Sequence, residues 1–159
     1  MRDVQKSKLY AAEQVLRKHD VYFKRLADIQ SYVDKIVASD WWQERSKYKS
    51  VVVLLGRKDS GKAFASRHGR YNGTYYASPY IVLPGPWAAT HSVVLHELAH
   101  VVHAHSYNEQ AHGPEYAKVY IDIVQQFKGS YSARQLRESF EQGGVKIAAT
   151  SDMADTLAS

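Results

Sequence analysis

Apolar residues recur at helical spacing in several stretches of this chain, with short β-branched runs between them. Residues 24–38 carry the stripe Leu26, Ile29, Val33, Ile36 and Val37, which predicts an amphipathic helix. Residues 3–18, rich in good helix formers and with Asp3 near the N-cap, predict a helix before it. Trp41-Trp42 is expected to close the second helix against the core. Val51–Leu55 reads as a buried strand, residues 56–73 as a Gly-, Ser- and Lys/Arg-rich loop, and Thr74–Tyr76 and Tyr80–Leu83 as further strands. Pro79 and Pro84 bracket the last of these and mark it as the expected sheet edge. A helix from about residue 88 to 105 buries Val93, Val94, Leu98, Val101 and Val102. Another, over 113–127 with Pro114 in its first turn, buries Tyr116, Val119, Tyr120, Ile123, Val124 and Phe127. Ser132-x-x-Gln135 resembles a capping box that opens a last helix to about Glu141, ended by Gly143-Gly144, with 145–147 extended. The order is two helices, a β-meander and three helices, an α+β chain with a small mixed or antiparallel sheet.

The 159 residues, 45% of them hydrophobic, suit one domain, expected over 1–147 with a flexible tail at 148–159. The absence of cysteine excludes disulfides and a cysteine-ligated zinc ribbon. Neither a signal peptide nor an apolar run of membrane-spanning length is legible, so the expected location is the cytoplasm, with no membrane partner. Charge is uneven. Residues 1–70 hold 16 Lys/Arg against 8 Asp/Glu, whereas 71–159 hold 5 against 8. Six of the eight histidines fall within 22 residues, His91 to His112, a clustering that points to a metal.

Within that cluster His96-Glu97-Leu98-Ala99-His100 is an H-E-x-x-H motif on a predicted helix. Residues i and i+4 of a helix differ by about 40° in azimuth and about 6 Å in rise, so both imidazoles can reach one Zn²⁺. Glu97, about 100° further round, can reach a water without occupying the metal. A catalytic zinc takes three protein ligands, so a third must come from elsewhere. His112 lies twelve residues after His100, enough chain to leave the helix and return, and directly precedes the next helix. His103 lies about 4.5 Å further along the axis than His100, too far to share a metal seated between His96 and His100, and His105 points away from that face. Glu109 and Glu115 stay open as carboxylate ligands.

The segment His96-Glu97-Leu98-Ala99-His100 with His112-Gly113-Pro114-Glu115-Tyr116 resembles the SprT-like zinc metalloproteases, over about 25 residues. A wider resemblance covers most of the chain. Arg2-Asp3-x-Gln5-x-Ser7-x-x-Tyr10-x-Ala12-Glu13, and Ile81-x-Leu83-Pro84 ahead of the Val94-Leu95-His96-Glu97 run, are similar to a family of metallohydrolases from actinobacteria and their phages. The resemblance implies a zincin-like fold, a zinc ion on His96, His100 and His112, and hydrolysis with Glu97 as general base. Its SprT-like side implies a protease acting on peptides or proteins. The chain departs from many such relatives in having no C-terminal cysteine ribbon.

Two competing signals alter this picture little. Gly56 to Lys62 almost spells a phosphate-binding loop, but Ala63 has no hydroxyl where Mg²⁺ coordination requires one, so the segment reads as a connection between strands. The basic loop 57–70, with Tyr71, Tyr75 and Tyr76 nearby, could contact nucleic acid. The expectation is therefore a zinc metallohydrolase, a minimal SprT-like metalloprotease. The alternatives are a nucleic-acid-binding protein with a structural or vestigial zinc, or a zinc hydrolase of a non-peptide bond. Tyr107, Tyr116 and Arg70 are candidate oxyanion donors.

Overall fold

The computed structural model describes residues 2–103 and 109–149. His105, Tyr107 and the predicted tail from residue 150 lie outside them. In chain order the elements are α1 (Lys6–Ala12), α2 (Gln14–Arg17), α3 (Leu26–Ala38), α4 (Asp40–Arg45), β1 (Val52–Gly56), β2 (Phe64–Ser66), β3 (Gly69–Tyr71), β4 (Thr74–Tyr76), β5 (Tyr80–Pro84), α5 (His91–Val102), α6 (Pro114–Lys128) and α7 (Ser130–Gln142). This is a mixed α+β chain with a small sheet. No helix among the described residues is long and apolar enough to cross a membrane. The chain divides into two compact units, residues 19–103 and residues 2–18 with 109–149.

In the unit of residues 19–103, α3 packs on β1 and α4, and α5 packs on β5 and β2. The stripe Ile29, Val33, Ile36 and Val37 is buried, each such side chain contributing about 1.5–3 kcal/mol. Trp41 and Trp42 sit in a helix of their own, α4, started by Ser39, whose side chain accepts from the Trp42 N–H. The indole of Trp42 is fully buried and donates to Tyr48 O at 2.7 Å.

The sheet corrects two expectations. Its order is β1-β5-β2, with β5 parallel to β1 and antiparallel to β2, so the strands do not form a meander. A parallel neighbour requires a crossover. Residues 57–79 supply it and carry three short strands, β2, β3 and β4, of which the first two fall in the stretch read as a loop. Strand β5 is central rather than an edge, and all five of its residues are buried. A run that is apolar at every position belongs to a strand covered on both faces, and the prolines here only bound it. Pro79 O even accepts from Val52 N–H at 3.0 Å. Separately, β3 and β4 form a hairpin closed by Asn72 (φ 49°) and Gly73 (φ 83°), two successive left-handed residues as a two-residue hairpin turn demands.

In the other unit α6 packs on α7, and α1 and α2 also pack on α7. The predicted single helix over 3–18 is two short ones, and Asp3 caps neither: Gln5 stands at the start of α1. The expected capping box at Ser132 is absent. Helix α7 begins at Ser130 directly after Gly129, whose φ of 102° lets one residue end α6 and start α7. Tyr116, Tyr120, Ile123 and Val124 of α6 and Ala133, Leu136 and Phe140 of α7 are buried, and the rings of Tyr120 and Phe140 meet edge-on between the two helices. The Tyr120 hydroxyl donates to buried Glu13 at 2.9 Å. Residues 145–147 form no strand.

Candidate metal centre

Helix α5 is set at its first turn. Thr90 accepts from the Val93 N–H at 3.2 Å, and Asp20 accepts from the Ser92 N–H at 3.1 Å and from the Ser92 hydroxyl. A carboxylate at a helix N-terminus satisfies an orphan donor and complements the helix dipole. His91, the first of the clustered histidines, does packing work here. Its ring packs with those of Phe23 and Tyr32 in a three-ring cluster, with centroids 4.6 and 4.5 Å away. Burial, and then the nearby Asp20 carboxylate, push the Tyr32 hydroxyl up to about 12.

From that anchored start the helix runs through the core. Every residue from Ser92 to Ala99 is buried, including His96 and Glu97. An amphipathic surface helix would place its polar side chains in water. Burying an imidazole and a carboxylate is unfavourable unless other groups compensate, and such burial concentrates at functional sites. His96 and His100 project from one side as their spacing predicts, with ring centroids 5.1 Å apart and planes at 66°. The Glu97 carboxylate lies 3.9 Å from His96 Nε2. The helix thus brings together three of the four predicted site residues. His103 stands at its C-cap, where its N–H bonds Ala99 O.

His112 belongs to the other unit, where it is buried and held from three sides. Its Nδ1 lies 2.7 Å from Asp3 Oδ2, and its backbone N–H donates to Asp3 Oδ1 at 3.3 Å. The rings of Tyr10 and Tyr116 meet it edge-on, each at 5.1 Å between centroids. Gly113 and Pro114 follow at once as N-cap and first residue of α6, which fixes the backbone. An ionised carboxylate only accepts, so Nδ1 is the donor of this pair, and in the neutral imidazole Nε2 then keeps the lone pair. A ligand histidine oriented by a carboxylate through its other nitrogen is the usual support for a bound metal.

Asp3 and Tyr10 thus hold His112, a partnership that reasoning from spacing missed. The available signal was the opening segment itself. Four of its polar or aromatic members now have partners: Asp3 and Tyr10 hold His112, Glu13 accepts from Tyr120, and the Gln5 amide bonds both Lys146 N–H and Lys146 O. The carboxylate alternatives Glu109 and Glu115 are exposed. Of the candidate oxyanion donors, Tyr116 is fully buried against His112 and Tyr120, and Arg70 is exposed on the hairpin. No family model, curated protein or solved structure matches the chain.

Proposed function

We propose that this chain is a zinc-dependent metallohydrolase, a minimal SprT-like metalloprotease with a zincin-like arrangement. The observation that carries the reading is a buried Glu97 beside His96 and His100 on one helix. His112, oriented by Asp3, is the proposed third ligand. Among the described residues these three histidines are the group that could hold a metal ion. The donor set fits zinc: three imidazoles of borderline softness, one of them carboxylate-supported, with no thiolate in the chain.

When bound there, Zn²⁺ would supply Lewis acidity, polarising a carbonyl and making water acidic enough to ionise near neutral pH. The protein's own residues do the rest. Glu97, adjacent to His96 but not needed as a ligand, accepts the water proton on its carboxylate and returns it to the leaving amine. Burial keeps that carboxylate in a medium where such transfers feel little solvent screening. Asp3 holds the His112 ring in one tautomer and one orientation.

The test is digestion of casein by zinc-loaded wild type and Glu97→Gln. Loss of cleavage with zinc retained supports the reading, and equal cleavage by the variant overturns it. A second reading, nucleic-acid contact through the basic loop 57–70, draws on one observation. Arg70 and Tyr75 face each other across the β3–β4 hairpin, both exposed, a cation beside a stacking surface. Salt-independent or absent binding of single-stranded DNA would dismiss it.

A further inference from the structure

Among the described residues strand β1 has a strand neighbour on one side only, β5. Backbone groups alternate along a strand, and Val52 N–H bonds Pro79 O on the β5 side. Val51, Val53 and Leu55 therefore turn theirs outward. The first outward position is filled by a side chain. Gln30 Nε2 donates to Val51 O at 2.9 Å, and Gln30 Oε1 accepts from Val53 N–H at 2.8 Å, as a neighbouring strand would. The next position, Val53 C=O with Leu55 N–H, has no partner strand among the described residues.

Beside that open position is a cavity of about 380 Å³. Leu26, Ile29, Leu55 and Pro86 give it apolar walls, and Lys24 and Lys58 also line it. Leu26 and Leu55 are 40% and 54% exposed, so two leucines meet water around one hollow. The charges there are one-sided. Arg25 is occupied by Asp28, whereas neither lysine has an ion pair with a described residue.

We propose that the open edge of β1 and this cavity bind an extended peptide, which adds a strand beside Leu55, seats an aliphatic side chain in the cavity and sets flanking carboxylates on Lys24 and Lys58. Main-chain bonding gives such a site its affinity and the pocket its selectivity. Backbone groups that pair with no strand among the described residues favour a peptide over a lipid, which cannot pair with them. The lysines favour acidic flanks. The site lies wholly within residues 23–89 and does not depend on a metal.

The experiment is fluorescence anisotropy with a fluorescein-labelled peptide of three leucines bracketed by aspartates. It is run in the Glu97→Gln background so that hydrolysis cannot be mistaken for release. Saturable binding is expected. Leu55→Asp, at a half-exposed position, should weaken it at least about tenfold. Lys24→Glu with Lys58→Glu should reverse the preference towards the same peptide bracketed by lysines, a swap that a folding defect would not produce. N-methylating the peptide amides should abolish binding. No saturation, equal affinity for the N-methylated peptide, or unchanged affinity and preference in these variants would each overturn the proposal.

Discussion

Asp3 Oδ2 lies 2.7 Å from His112 Nδ1, joining residues 109 positions apart in the chain. The same carboxylate also receives the His112 backbone N–H, so one side chain fixes both the ring and the turn that carries it. If His112 is a metal ligand, Asp3 governs how well it binds. Asp3→Ala should weaken zinc affinity about 10- to 100-fold, and Asp3→Asn less, because an amide can still accept from Nδ1. Competition with a chromophoric chelator measures this directly. Unchanged affinity in Asp3→Ala would remove Asp3 from the metal's support.

The partnership also shows where the sequence is readable and where it is not. Helices α3, α5 and α6 were legible because their buried residues repeat at helical spacing, and H-E-x-x-H is legible because its whole geometry lies within one helical turn or so. Asp3 was legible only as a helix-start residue. Its actual partner is brought to it by the packing of its unit, and nothing local announces that. The short strands β2 and β3 escaped for a related reason: three residues of mixed polarity carry no period, and their pairing partners decide them. Strand β5 was visible but misplaced, since its bounding prolines drew more weight than its unbroken apolar run.

At the start of α5, Asp20 takes two donors from Ser92 and one from the Val21 N–H. Asp20→Ala should cost about 1–3 kcal/mol through the lost charged cap and the buried Ser92 hydroxyl left behind. Thr90→Ala should cost about 1 kcal/mol. Urea midpoints, with amide exchange in the first turn of α5, give the readout. A midpoint unmoved in Asp20→Ala would mean the cap does not stabilise the helix that carries His96 and His100.

Tyr32 sets an alkaline limit. Its hydroxyl is held up to about 12 against an ordinary 10, first by burial and then by Asp20. The unfolded chain loses this proton near 10 and the folded chain only near 12, so the folded state binds more protons in between. The stabilisation is complete below pH 10 and is lost as pH rises through that window, by about 2 kcal/mol. Tyr32→Phe should remove this loss. Near pH 8 the variant should match or slightly exceed wild type, because the buried hydroxyl has no hydrogen-bond partner among the described residues. Urea midpoints of both proteins at about pH 8 and pH 11 test the sign. A wild type that falls no further than the variant would contradict it.

Whether His96, His100 and His112 share one ion is read most directly from zinc content, measured by mass spectrometry on protein purified from zinc-supplemented medium. The prediction is one zinc per wild-type chain, and background levels in His100→Ala and His112→Ala with helical circular dichroism retained. A wild type that holds no zinc, or a His112→Ala variant that keeps full stoichiometry, would contradict the proposed centre.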